Sequence, residues 1–397
     1  MSENDIKRKE KLSTAYDESG IVCRTHVGGQ ALIEGIMMRG RYNWALAVRK
    51  PNGTIHVEEH DLISGRDKNS WMYKPVVRGC TSLVESLALG YKALEIAANH
   101  AFDDEETEEL TVIEEEEIAV VETEPIAPSI ETVEAAAKKN AKGSEEVLPK
   151  AVMTGAMVVG LLLGIVIFIV VPAIVTNLIV GDYAEKTLLW NIVDGILRVA
   201  IFIGYIFLIG RMPDIKRMFG YHGAEHRTIH CYERGKDLTV ANAQVFPSLH
   251  VRCGTAFMLM TMIIAIFVFT IVPVNLLIDA LGIQNAILRL VVVIISRILL
   301  LPFIAGLSYE FTVKWAGSHP DNPVVKIVLW PGLQLQRLTT NQPDDGMVEC
   351  AIAAMNAVLA RETMEADKLA ISRKKEEDDQ EDTVIDHEQL EAQKVAT

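Results

Sequence analysis

The sequence predicts a mainly α-helical integral membrane protein with about four transmembrane helices and, ahead of them, a small cytosolic α+β region containing a β-hairpin. Three observations lead there. Half of the 397 residues are hydrophobic while the formal charge is -15, so apolar and charged residues are segregated along the chain rather than mixed at core-forming spacing. Two stretches, 151–180 and 254–278, hold no charged residue over lengths sufficient to cross about 30 Å of hydrocarbon. Two more, 188–210 and 286–311, are apolar except for a few ionisable residues and follow the first two after short turns. Backbone groups in lipid must be satisfied within their own segment, which makes these four helices arranged as two hairpins.

Loop charge sets the expected orientation. The turn GDYAEK has one Lys and DALGIQN has no basic residue, whereas the loop 211–253 carries Arg211, Lys216, Arg217, Arg227, Arg234, Lys236 and Arg252. The positive-inside rule therefore places this loop, and with it both termini, in the cytosol. Residues 1–21 are charged, lack an apolar h-region and read as a disordered N-terminus rather than a signal peptide. Residues 22–102 read as folded: apolar alternation on either side of Pro51-Asn52-Gly53 is a β-hairpin pattern, and 75–102 has apolar residues at helical spacing. Length alone leaves open whether that helix lies at the interface or enters the bilayer. Residues 103–149 turn to Glu, Ala, Thr and Pro, the composition of a disordered acidic linker. The transmembrane domain spans 150–320. Beyond it, 321–360 reads as an interfacial segment interrupted by Pro331 and then an amphipathic helix capped by Asp344 and Asp345, and 361–397 as a charged tail.

Composition also excludes classes. The acidic balance argues against nucleic acid as a partner. Five cysteines, Cys23, Cys80, Cys231, Cys253 and Cys350, are widely spaced and form no C-x-x-C pair, so a disulfide framework or zinc ribbon is not expected.

The chemistry-bearing stretch is YHGAEHRTIHCYERG, 221–235, with His222, His226 and His230 four residues apart. On a helix His222 and His226 share a face, so their imidazoles can bind one cation, and His222, Glu225 and His226 spell H-x-x-E-H. In that pattern the carboxylate is a general base rather than a ligand, which assigns Glu225 as the catalytic residue. A complete site needs a third ligand and an open position. Glu310, at the end of an apolar helix that has no structural need for a carboxylate, is the first choice, with His250 and His230 as substitutes. The implied cofactor is a divalent metal, zinc above others. The plain alternatives are a polar helix that packs or meets headgroups, and an ion pair of Glu310 with Arg252 or Lys314. Asp194 and Arg198 at i and i+4 read as mutually neutralising, or as partners of Arg289 and Arg297. Pro172 and Pro273 read as kinks or ends, Cys253 as a small residue at a helix start, and Gly28-Gly29-Gln30 as a buried turn and strand that brings backbones close. Glu34 is either a second carboxylate of the same site or a partner of Arg39 or Arg41.

Together, GGQALIEGIMMRG, VRGCTSLVESLALG, YHGAEHRTIHCYE, HVRCGTAF, AGLSYEF and LQRLTTNQPDD resemble the YqhQ-type family of bacterial membrane proteins, a family of unknown function sometimes described as predicted metal-dependent enzymes. The resemblance covers about residues 23 to 360 without the acidic segment, and implies a multi-pass protein of the bacterial cytoplasmic membrane. From the residues, the leading expectation is a metal-dependent hydrolase at the cytosolic membrane face, in contact with membrane lipid and acting on a peptide or lipid-linked substrate. Its rivals are a transporter or channel that uses Asp194, Arg198, Arg289, Arg297 and Glu310 and assembles as a homo-oligomer, and a membrane-anchored scaffold.

Overall fold

A computed structural model describes residues 25–62, 69–101, 150–183, 185–250, 253–316, 319 and 322–395. The N-terminus 1–21, Cys23, the whole acidic segment 103–149 and Arg252 lie outside the described residues.

Four strands, β1 (Gly28–Leu32), β2 (Gly35–Arg39), β3 (Asn43–Arg49) and β4 (Ile55–Asp61), form one antiparallel sheet in sequential order. The expected hairpin is β3–β4. Its turn is fixed by Gly53 at φ +87°, a conformation glycine reaches without steric cost, and by the Asn52 side chain, which accepts from the Thr54 backbone N–H at 2.9 Å. The preceding β1–β2 turn is tighter: Leu32 pairs with Gly35, leaving Ile33 and Glu34 as the loop, with Glu34 at φ +49°.

Because side chains alternate across a strand, the central strands bury both faces. Leu32, Met37, Trp44, Leu46 and Val48 pack under Ala93, Ala97 and Ala101 of helix α1 (Val77–Ala101). Ile36, Met38, Ala45 and Ala47 face α4 (Pro213–Glu233) and α10 (Asp345–Val395). The sheet is thus the middle layer between α1 and the α4/α10 pair. Asp344 caps α10 by accepting from the Met347 N–H at 2.8 Å, as expected for an acidic residue at a helix start.

Among the described residues, four helices are long and apolar enough to cross a membrane: Thr154–Val180, Thr187–Ile209, Gly254–Ile271 and Ala286–Ala316. The first lies in α2 (Lys150–Ile165), which continues through a π turn at Val166–Val170 into Val171–Val180. The others are α3 (Thr187–Ile209), α6 (Gly254–Ile271) and α8 (Ala286–Tyr309, extended by a π turn at Glu310–Ala316). The loop between α3 and α6 holds α4 and a short α5 (Val240–Gln244), and α7 (Val274–Ala280) follows Pro273, which ends α6.

Inside this bundle, Asp194 accepts from Arg198 at 3.0 Å and from Arg297, and Arg297 also donates to Asn191 at 2.7 Å. All four side chains are buried. Arg297 stacks over Trp190 and Phe269, with its guanidinium carbon 4.7 and 4.5 Å from the ring centres. Arg289 is placed elsewhere, pairing with Asp182 at 3.1 Å.

Helix α1 joins the sheet to the bundle. Its C-terminal half covers the sheet, and its N-terminal half lies on α8 at a contact so close that a Cβ on Gly79 would sit 2.8 Å from the Gly306 Cα, and one on Gly306 would sit 2.4 Å from the Val76 carbonyl oxygen. The segment read as broken at Pro331 is instead one helix, α9 (Pro323–Thr339), with the proline inside it. It packs on α6 where Gly332 meets Ala256.

Candidate metal centre

Helix α4 carries His222, Glu225, His226 and His230, and three other segments close over it: the C-terminal end of α9, the loop 245–250 and the first residue before α6. Gly223 is what lets the chain after α9 approach, since a Cβ there would lie 2.1 Å from the Asn341 carbonyl oxygen. Asn341 then donates to the Phe219 carbonyl at 2.8 Å. Arg227 ties down the loop, donating to the Ser248 hydroxyl at 2.9 Å and the Gln244 carbonyl at 2.8 Å. Gln336 grips His250 through two backbone bonds of 2.9 and 2.8 Å.

These fixed carbonyls orient the two leading histidines. Nδ1 of His222 bonds the Thr339 carbonyl oxygen at 2.8 Å, and Nδ1 of His226 bonds the Ser248 carbonyl oxygen at 2.7 Å. A carbonyl can only accept, so both Nδ1 atoms carry the proton. Both Nε2 atoms are left for other work. That of His222 faces the Cys253 sulfur at 3.1 Å, and that of His226 is buried with no hydrogen-bond partner among the described residues. One donor atom from each of His222, His226 and Cys253 lies within 4.8 Å of the others. An imidazole held through Nδ1 by a backbone carbonyl, with Nε2 bare, is the arrangement that metal ligation uses.

The electrostatics are strongly coupled. Burial opposes ionisation of Cys253, but the imidazoles of His226 and His222 reverse this and hold its thiol well below the ordinary range. Burial likewise disfavours a cationic His222, yet the Cys253 sulfur, Glu225 and the Thr339 carbonyl raise its pKa to about 9. Both shifts express the attraction between the Cys253 sulfur and the imidazoles beside it. Glu225 is buried, and burial raises its pKa against the pull of His226 and His222. Its side chain lies against β1, where a Cβ on Gly29 would fall 2.8 Å from the carboxyl carbon. The second glycine of GGQ thus makes room for Glu225, and Gln30 packs instead on Gly90 of α1.

The remaining candidates fall elsewhere. His230 donates through Nε2 to the Leu249 carbonyl at 2.8 Å and meets the Arg234 guanidinium through Nδ1 at 3.1 Å. Both nitrogens are engaged, and burial and the neighbouring His250 hold its pKa well below the usual range. His250 faces Glu233 at 3.4 Å, so His230, Glu233 and His250 make a second buried group one turn further along α4.

Glu310 does not join either group. Both its oxygens meet Arg78 of α1, one of them at 2.6 Å from Nε, and the Val76 N–H adds a bond of 3.2 Å. It docks α1 onto α8, in an ion pair with Arg78 rather than with Lys314; the alternative partner Arg252 lies outside the described residues. Nδ1 of His319 bonds the Trp315 carbonyl at 2.9 Å. Glu34 holds Arg217 through two bonds of 2.6 Å and accepts from the Tyr221 hydroxyl at 3.2 Å, which fastens α4 to the β1–β2 turn. Its partner is thus neither Arg39 nor Arg41. Sequence reasoning gave the third position beside the histidines to Glu310, whereas among the described residues Cys253 occupies it. The available signal was a cysteine at the N-cap of a helix, where the helix dipole favours a thiolate.

No solved structure matches this chain. The uncharacterized protein YqhQ of Bacillus subtilis (strain 168) is 31% identical over 338 residues, covering 85% of this chain and 93% of that protein. The family described as protein of unknown function DUF1385 matches residues 74–361. That match takes in α1, the four long apolar helices and the His222, His226 and Cys253 group, and with the YqhQ relationship it places the chain in the DUF1385 family of YqhQ-like membrane proteins.

Proposed function

We propose that this protein is a metal-dependent hydrolase of the bacterial cytoplasmic membrane, with His222, His226 and Cys253 as ligands of a divalent metal and Glu225 as general base, acting at the cytosolic face on a peptide or lipid-linked substrate. The single observation that carries the reading is the bare, buried Nε2 of His226 beside His222 and Cys253. An unpaired polar atom in the interior costs about 1–3 kcal/mol, and a cation at that point removes the cost.

Two imidazoles and a thiolate suit zinc, and three protein ligands with an open fourth position are the pattern of a catalytic rather than a structural zinc. Bound there, the metal supplies Lewis-acid chemistry and lowers the pKa of water to about 7. The chain's own residues do the rest. Thr339 and Ser248 hold the imidazole tautomers, and Glu225, with its pKa raised by burial, is suited to take a proton near neutral pH. A cavity of about 270 Å³ between β1 and α1 is bordered by Gly29, behind which Glu225 lies, and by His26, Gln30, Arg39 and Ser86.

The contact of 3.1 Å between His222 and Cys253 favours one second reading, a cysteine nucleophile with His222 as its base. Metal analysis of detergent-purified protein separates the two. The metal reading expects at least one equivalent of metal in wild type and in E225Q, loss of one equivalent in H222A and in H226A, and peptides or lipids enriched on E225Q because they are bound and not cleaved. Wild type without stoichiometric metal refutes it, and identical co-purifying molecules on wild type and E225Q refute hydrolysis by Glu225.

A further inference from the structure

Strand β4 carries His56, Glu58 and His60 at alternate positions, which puts all three on one face of the sheet. They pair across β3 with Val48, Leu46 and Trp44, residues of the layer that α1 covers. His100, in the last turn of α1, completes the group. Three imidazoles converge on one carboxylate: Nε2 of His56 and of His100 lie 3.0 and 3.4 Å from Oε1 of Glu58, and Nε2 of His60 lies 3.0 Å from Oε2. His60 is held by stacking on Trp44 with ring centres 4.3 Å apart, and the rings of His56 and His100 are 3.9 Å apart.

Simple salt-bridging accounts poorly for this crowding. Glu58 has lone pairs enough to accept from all three imidazoles, but were they cationic, the His56 and His100 rings in contact would repel each other. Burial, and then the neighbouring His56, lower the pKa of His100 and so disfavour its cationic form. Neutral imidazoles offer lone pairs. Donor atoms of His56, Glu58 and His100 already lie within 4.8 Å of one another, and the four side chains are between 24% and 32% exposed, so an ion from solvent reaches them.

We propose that His56, His60, His100 and Glu58 form a second cation site, for a divalent transition metal of the zinc, nickel or copper type, which clips the C-terminal end of α1 to the edge strand β4. Imidazole-rich sites with one carboxylate select such ions over magnesium or calcium. When the dication binds, each neutral imidazole moves its single proton from Nε2, where it now faces Glu58, to Nδ1, so that the Nε2 lone pair faces the ion and the ring stays neutral. The consequence reaches the bundle, because the other end of α1 is fixed to α8 by Gly79, Gly306 and the Arg78–Glu310 pair. Metal at this site therefore fixes the sheet to the membrane helices. The site stands whether or not the α4 centre binds metal.

The test uses full-length, tag-free protein in detergent, stripped by chelator and carrying H222A/C253S to remove the first centre. Titration with Zn²⁺ is expected to show one equivalent bound and a raised unfolding temperature, with affinity falling at least about 100-fold in H56A/H100A. H56Q/H100Q, which keeps polar side chains of similar size, is expected to behave the same while unfolding without metal at the parent temperature. Co²⁺ reads the two centres apart: only Cys253 gives a sulfur-to-cobalt charge-transfer band, so this site is expected to show ligand-field bands alone. No bound Zn²⁺ in the H222A/C253S protein, or equal affinity after both histidines are changed, overturns the proposal.

Discussion

The buried network of the transmembrane bundle makes a quantitative prediction. One carboxylate, Asp194, faces two guanidinium groups, Arg198 and Arg297, with all three side chains no more than 7% exposed. At the 3.0 Å separation of the Arg198 contact and an effective dielectric of 20, each attraction is about 5.5 kcal/mol before desolvation is counted. Asp194→Asn removes both attractions and leaves two like charges in one interior, for which a net loss of about 3–5 kcal/mol is expected. Arg198→Gln behaves differently. It leaves Asp194 and Arg297 as a balanced pair, with Arg297 still bonded to Asn191 and stacked on Trp190 and Phe269, and about 1 kcal/mol is expected. Unfolding in mixed micelles of rising denaturing-detergent content measures both variants against wild type. The reasoning fails if Asp194→Asn costs less than Arg198→Gln, or if both are within about 0.5 kcal/mol of wild type.

Other expectations follow from single contacts. Gly223→Ala drives a methyl group into the Asn341 carbonyl 2.1 Å away, so a loss of about 1–3 kcal/mol in the same unfolding assay is expected, together with weaker metal retention as Thr339 shifts from His222. Glu34 titrates with folding: its bonds to Arg217 lead, against partial burial, in lowering its pKa. A carboxyl whose folded pKa is depressed adds stability above its unfolded value of about 4.3 and loses it as pH falls through the folded value. The stability difference between wild type and Glu34→Gln is therefore expected to be constant above about pH 5 and to shrink below about pH 4, and a difference that grows on acidification contradicts it. Finally, Glu310→Gln is expected to leave the metal content of the α4 centre unchanged while loosening α1, and Cys253→Ser to strip that metal, both read by elemental analysis.

Much of the architecture is legible in the sequence because the bilayer imposes a length on uncharged segments, and Pro51-Asn52-Gly53 imposes a turn. His222, Glu225 and His226 are legible because a helix repeats on itself: a spacing of three and four fixes a common face. What escapes is whatever depends on distant chain crossing. Arg78 meets Glu310 across 232 positions, and only the course of α1, which no local pattern determines, brings them together. A lone cysteine has no spacing to betray it, so Cys253 gains its role from where α6 begins. His56, Glu58 and His60 look like ordinary edge-strand polarity until α1 delivers His100. Pro331 misleads for another reason: it reads as a break, but packing of α9 on α6 at Gly332 holds the helix through it.

The central claim is most directly tested by X-ray absorption at the metal edge of purified protein in an H56A/H100A background, which leaves only the α4 centre. A first shell containing one sulfur at about 2.3 Å and two imidazole nitrogens at about 2.0–2.1 Å is expected, with the sulfur lost in C253S. A shell of nitrogen and oxygen alone, or no metal at all, contradicts it.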